Sequence, residues 1–363
     1  MSVVPPAANW RRLRLIPLAF GILAMALGLW TGVTRIGLAL PQPSTPLAEF
    51  HGALMISGFL GTVISLERAV ALRHWWAYAA PALASSGVLS LIAGAPSIAA
   101  VAFLAASAIL LLGSAIIAVH QPATFTVALM IGAASWGIGT LEWMMGYSMP
   151  AIAAWWLDFL ILTIAAERLE LSRIAKPSRS SRLTFAISVA LLFAGSARGE
   201  LAEGFAPFTA AGLLACAAWL LRHDLARRTI RLAGQPRFVA CSILAGHAWL
   251  GLAGVLFLVA PPGATAFSYD AGVHAITIGF VLSMLFGHAP IILPALIGIR
   301  LRYSDFAYVP LALLHASLIL RVGSDVFERV DLRAASAMAT IAALAVYAGY
   351  LAHTSRKAKP RPA

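Results

Sequence analysis

A chain of 363 residues that is 61% hydrophobic and 11% charged, with a mean hydropathy of +0.87, is too apolar for a water-soluble globule. Apolar runs of about 20 residues, the length that crosses a bilayer, recur along it. The formal charge of +12 does not point to nucleic acid, because the basic residues gather at alternate ends of those runs, as they do in proteins oriented in a membrane. The expected fold class is therefore an all-α polytopic membrane protein, a single transmembrane helical domain over residues 1–363 whose partner is the lipid bilayer.

Residues 1–13 read as a cytoplasmic segment. The first apolar run, 14–34, is longer than a signal-peptide core and lacks a small-residue cleavage site, so it reads as a retained helix. Further helices are predicted at 47–67, 75–94, 97–119, 124–146, 149–170, 182–198, 202–222, 238–260, 269–289, 305–322 and 332–353, followed by a basic cytoplasmic tail at 354–363. With the N-terminus inside, all but five of the 26 Lys and Arg fall on the cytoplasmic side, the exceptions being Arg35, Arg198, Arg321, Arg329 and Arg333. That asymmetry implies an even helix count, both termini in the cytoplasm, and a multi-pass protein of a bacterial inner membrane. The loops are too short for a soluble domain, so function must reside among the helices. Cys216 and Cys241 form no CxxC or CxxCH motif.

Helices two and six share a pattern: Phe59-Leu60-Gly61-Thr62-Val63-Ile64-Ser65-Leu66-Glu67-Arg68 and Phe159-Leu160-Ile161-Leu162-Thr163-Ile164-Ala165-Ala166-Glu167-Arg168. Helix ten carries Phe280-Val281-Leu282-Ser283-Met284-Leu285-Phe286-Gly287-His288, with His288 where the others have glutamate. A spacing of four helices suggests three four-helix units about an approximate threefold axis.

Ionisable groups inside a bilayer are costly, and each is a functional candidate. His51 and His274 stand near the outer ends of helices two and ten, at one predicted level, where two imidazoles can supply opposed axial ligands to a haem. The plainer alternative is a hydrogen bond to a neighbouring helix. His247 and His315 fall at mid-bilayer depth on helices nine and eleven, and these or His288 could form a second site for copper, a second haem or substrate. His288, roughly 21 Å beyond His274 along helix ten, cannot serve the same metal. It precedes Pro290 and Pro294, where a broken helix end could leave carbonyls open to a ligand. Asp158 at mid-helix and Glu142 nearer the outside are proton-relay or polar-partner candidates, whereas Glu67 with Arg68 and Glu167 with Arg168 read as interfacial ion pairs. His74, His120, His223 and His353 lie at helix ends, where a histidine needs no function.

Twelve helices, a fourfold period and histidines at the outer ends of helices two and ten resemble subunit I of the haem-copper oxidases. The closer resemblance is to the NnrS family of bacterial haem- and copper-containing membrane proteins linked to nitric-oxide stress. Phe50-His51-Gly52-Ala53-Leu54-Met55 with Gly58-Phe59 is similar to that family's helix-two signature, and His274-Ala275-Ile276-Thr277-Ile278-Gly279 with Met284 to its later one. The resemblance implies a haem b held by His51 and His274, copper as a further cofactor, and a redox partner or nitric oxide as the interacting species. Helices six and seven carry no histidine, and Ile276 stands where oxidases have the second residue of His-x-His, so a conventional oxygen- or nitric-oxide-reducing centre is not expected. Bis-histidine ligation favours electron transfer or sensing. The competing expectation is a proton-coupled secondary transporter using Asp158, His247 and His315; an assembly or scaffold protein is a third.

Overall fold

The computed structural model describes residues 13–38, 40–41, 47–172 and 178–357. Most of the predicted N-terminal segment, the middle of the basic stretch between the sixth and seventh helices, and most of the basic tail lie outside the described residues. All twelve predicted helices are present. They are α1 (Leu15–Arg35), α2 (Leu47–Phe50, Ala53–Leu60 and Gly61–Leu72), α3 (Trp75–Tyr78 and Ala79–Ile92), α4 (Pro96–His120), α5 (Thr124–Met144) and α6 (Met149–Ser172). After these come α7 (Arg179–Ala197), α8 (Pro207–His223), α9 (Gln235–Val259), α10 (Ser268–His274, Ala275–Leu282 and Ser283–Ile297), α11 (Asp305–Ala307 and Tyr308–Val326) and α12 (Val330–Thr354). One short antiparallel pair, β1 (Ile299–Leu301) with β2 (Ser355–Lys357), joins the end of α10 to the end of α12.

The protein is an all-α polytopic membrane protein. Among the described residues, eleven of the helices are long and apolar enough to cross a bilayer. The remaining one, α8, has 17 residues, the short limit for a span of about 17–25. The outward side chains are those of a lipid-facing surface: Val119 is 78% exposed, Val259 73% and Ile319 64%. Water would not tolerate so many such residues on a folded monomer.

The chain divides into two compact units. The first comprises residues 1–167 and 193–203, the second 168–192 and 204–363, so the division falls within α6 and α7. In the first unit the most deeply buried large side chains include Phe103, Trp136, Trp156 and Phe159; in the second they include Phe238, Phe257, Phe280 and Phe286.

The repeat seen in sequence has a geometric counterpart. A methyl group placed on Gly21 of α1 would lie 3.7 Å from the Phe59 carbonyl oxygen, beside Thr62 and Val63 of α2. On Gly132 of α5 it would lie 3.3 Å from the Phe159 carbonyl oxygen, beside Leu162 and Thr163 of α6. On Gly246 of α9 it would lie 3.2 Å from the Phe280 carbonyl oxygen, beside Ser283 and Met284 of α10. In all three the glycine meets the phenylalanine and the residues three and four beyond it, which is one ridge of a helix entering the groove left by a missing side chain. The residue before each phenylalanine then faces the following helix: Gly58 meets Val88 of α3, Gly279 meets Leu318 of α11, and Asp158 accepts a hydrogen bond from Ser196 of α7. The helix trios α1–α3, α5–α7 and α9–α11 are thus built alike.

Two departures from regular helix matter. Ala53–Leu60 in α2 and Ala275–Leu282 in α10 are π-helical, while the equivalent stretch of α6 is α-helical. Wide turns of this kind concentrate at functional sites. Secondly, α10 does not break at its prolines, contrary to the sequence expectation, but continues through Pro290 and Pro294 to Ile297. Pro290 has no N–H for the Phe286 carbonyl. That oxygen instead accepts the Tyr347 hydroxyl of α12 at 2.6 Å, with the two rings stacked 3.9 Å apart, so it is not open to a ligand.

Candidate functional site

His51 lies in the first unit, two residues before the π segment of α2. Its Nδ1 is 2.7 Å from the Gly28 carbonyl oxygen of α1, and its ring packs over Gly32, where a methyl group would come within 2.8 Å of Cε1. A carbonyl only accepts, so Nδ1 carries the hydrogen and the lone pair of the neutral ring sits on Nε2.

His274, in the second unit, directly precedes the π segment of α10. Its Nδ1 lies 2.9 Å from the Asp270 carbonyl oxygen and 3.1 Å from the Asp270 carboxylate, which again places the lone pair on Nε2. Asp270 belongs to a closed ring of charges. Arg321 and Arg333 both donate to its Oδ2, the second at 2.7 Å, and both also donate to Asp325, at 3.2 and 2.6 Å. Asp325 is fully buried, and the Arg333 guanidinium lies 3.7 Å over the Phe267 ring. Two cations and two anions balance, and each carboxylate is held by two guanidinium groups, so the ring can sit in an apolar surrounding. It fixes Asp270 and, through Asp270, the imidazole of His274.

In the register of the repeat, with Phe59 opposite Phe280, His51 coincides with Gly272, and His274 lies two residues further along. The packing agrees: where His51 of α2 covers Gly32 of α1, Phe257 of α9 covers Gly272 of α10. The two histidines therefore occupy different helix faces of their repeats, displaced by roughly 200° at about 100° per residue.

At the other end of the repeats, the residues eight and nine beyond each phenylalanine are Glu67-Arg68, Glu167-Arg168 and His288-Ala289. Within the first unit, Arg68 pairs with Glu167 at 2.6 Å. Within the second, Arg168 donates to His288 Nε2 at 3.0 Å. The arginine of one repeat thus meets the glutamate, or its replacement, of the next. Arg168 does more than Arg68: its Nε and Nη2 also hold the buried Asp224 carboxylate at 2.8 and 3.2 Å. Asp224 caps the C-terminus of α8 and accepts the Ala226 N–H at 2.8 Å. His247 Nε2 stands 3.6 Å from Asp224 Oδ2, and neither nitrogen of this fully buried ring has a hydrogen-bond partner among the described residues.

The remaining candidates are tied locally. Asp158 accepts Ser196 Oγ at 2.7 Å, and Glu142 accepts the Trp155 indole at 2.9 Å. His315 Nδ1 accepts the Trp249 indole at 3.0 Å, and that indole in turn packs over Gly279.

This geometry bears on copper. His288 donates from Nδ1 to the Met284 carbonyl and receives Arg168 on Nε2; His315 spends its lone pair on Trp249. Only His247 retains a lone pair. Among the described residues no three His, Cys, Asp or Glu side chains are grouped to hold a metal ion. The set His247, His288 and His315 therefore does not fit copper. His51 and His274, each with one nitrogen anchored by an oxygen and the other basic, fit the donor chemistry of a haem ligand.

Sequence reasoning missed Asp224, Asp270 and Asp325, and read Arg321 and Arg333 only as exceptions to the charge asymmetry. Two spacings carry the signal: Asp270 is four residues before His274, and Asp325 four after Arg321. No curated protein and no solved structure matches the chain. Residues 14–356 match the family described as a domain of unknown function, DUF8744, and the chain belongs to that family.

Proposed function

We propose that the protein is an NnrS-like haem protein of the bacterial inner membrane, multi-pass with both termini cytoplasmic. His51 and His274 are its axial ligands, and it serves nitric-oxide or nitrosative-stress response or electron transfer. The observation that carries this reading is the matched preparation of the two imidazoles. Each adjoins a π segment, and each has Nδ1 tied to an oxygen, which leaves Nε2 as the basic nitrogen. A haem held by His51 and His274 would supply one-electron chemistry. The Gly28 carbonyl orients one ring, and the Asp270 ring of charges the other.

An optical spectrum of the protein, purified after expression with haem supplied, tests the proposal. A Soret band is expected, and His51→Ala and His274→Ala are each expected to shift or abolish it. Absence of the band sinks the haem reading; a band indifferent to both substitutions sinks the ligand assignment. A second reading, a proton-coupled transporter, draws support from the unpartnered, fully buried ring of His247. It predicts substrate-dependent proton uptake into proteoliposomes. Of the other two residues of that reading, Asp158 holds Ser196, and His315 holds Trp249 on Nδ1 while its buried Nε2 has no hydrogen-bond partner among the described residues.

A further inference from the structure

We propose that His247, Asp224, Arg168 and His288 form a buried proton-binding site within the second unit, with His247 as the group that takes the proton. The inference requires neither haem nor transport.

His247 is an anomaly on energetic grounds. A polar atom buried without a partner costs about 1–3 kcal/mol, and this ring has two such atoms. A purely structural residue at that place would be apolar, like Ile22 and Ala133 at the same position of the other repeats. The imidazole is instead set beside a carboxylate: Nε2 is 3.6 Å from Asp224 Oδ2, too long for a hydrogen bond but within ion-pair range. Asp224 favours the neutral tautomer with hydrogen on Nε2. The incoming proton, delivered by hydronium, forms one new N–H bond at the Nδ1 lone pair as an O–H bond of the hydronium breaks and water departs. The resulting imidazolium charge lies beside Asp224.

The surrounding groups define how such a site would respond. From the end of α8, Asp224 attracts the proton. From α6, Arg168 opposes it, because its guanidinium holds both Asp224 oxygens. From α10, Phe280, Ser283 and Met284 lie against Gly246, and the Phe280 ring faces His247; none of them is titratable. His288 of α10 accepts a hydrogen bond from Arg168. Protonation of His288 would put a hydrogen on the nitrogen that accepts Arg168 and break that bond. The two histidines are therefore opposites: His247 gains a counter-ion on protonation and His288 loses a hydrogen bond. Without Arg168 and His288 the carboxylate would be an uncompensated buried charge; with them the resting site is neutral, and one proton makes it singly positive.

The test is a pH titration of the full-length protein in nanodiscs, labelled with nitrogen-15 in its histidine rings and followed by NMR. The His247 signals are identified by their loss in His247→Gln. They are expected to convert from neutral to imidazolium as the pH is lowered, while those of His288 do not. Asp224→Asn is expected to lower the His247 midpoint by about one pH unit or more, a tenfold weaker proton affinity. A His247 ring that stays neutral throughout, or a midpoint unmoved by Asp224→Asn, overturns the proposal. If Asp224→Asn does not fold, Arg168→Gln tests the site from the other side: removing the opposing cation raises the midpoint, and an unchanged midpoint overturns the proposal equally.

Discussion

The Tyr347 hydroxyl offers a clean perturbation, because a proline has created the acceptor it fills. In a regular helix the N–H of residue 290 would bond the Phe286 carbonyl; Pro290 has none, and Tyr347 supplies the missing donor at 2.6 Å. Tyr347→Phe deletes only the hydroxyl and keeps the ring stacked on Phe286. Hydrogen bonds between membrane helices are worth about 0.6 kcal/mol on average and up to about 1.7. The low average arises because the unpaired groups find other partners, and here the helix has no second donor to offer. The expected loss is therefore in the upper part of the range, about 1–2 kcal/mol. Equilibrium unfolding in mixed micelles of increasing SDS content, followed by tryptophan fluorescence, measures it. The mechanism is isolated by repeating the substitution on Pro290→Ala, whose N–H reaches the Phe286 carbonyl. There Tyr347→Phe is expected to cost about 1 kcal/mol less, the coupling of two donors to one acceptor. An equal cost in both backgrounds refutes the reasoning.

Gly132→Val forces a side chain against the Phe159 backbone 3.3 Å away and is expected to destabilise the protein by about 1–3 kcal/mol in the same unfolding assay, whereas Gly349→Ala, which meets nothing within 4 Å, leaves it unchanged. Asp325→Ala removes a buried carboxylate shared by Arg321 and Arg333 and is expected to cost about 3–5 kcal/mol, read as lost folded yield and lower SDS resistance. Asp331→Ala, whose pair with Arg329 is 60% exposed, is the matched control, and no measurable change is expected. Ser196→Ala takes the hydrogen bond from Asp158; infrared difference spectroscopy is expected to show the Asp158 carboxyl band displaced, and an unmoved band would remove the reason for grouping the two.

All twelve helices were legible because hydropathy over a bilayer's thickness is a strong signal that tertiary context seldom overrides. The end of α10 was misplaced by eight residues because proline is read locally as a breaker, while the donor that rescues its carbonyl, Tyr347, comes from another helix. The repeat was legible at Phe59, Phe159 and Phe280, and its packing partners Gly21, Gly132 and Gly246 were not, since glycine is abundant and a single one carries no register. Histidines could be given a depth but no rotation, so nothing in sequence separated His315, which spends its lone pair on Trp249, from His247, which does not. The acidic residues were underread for a related reason. Asp224 follows α8 and Asp270 opens α10, positions where a carboxylate is ordinarily solvated, and only the arginines brought to them from other helices show that they are partners in buried networks.

The chemistry concentrates where the repeats cease to match. Three helix trios share one scheme of glycine against phenylalanine carbonyl, and a residue obeying it needs no functional reason for its identity. The exceptions do. Asp158 stands where the other repeats have Gly58 and Gly279, and His288-Ala289 stands where they have Glu-Arg. His51 over Gly32 is inverted to Phe257 over Gly272. Arg168, unlike Arg68, is turned to a carboxylate and an imidazole at once. Duplicated helices would have begun with equal side chains at these positions, and an ionisable group kept in an apolar setting bears a desolvation cost that its apolar equivalents show to be avoidable. The histidines that depart from the repeat, at the π turn of α2 and at the closing end of α10, are thus set apart from interfacial histidines such as His120 by the repeat itself.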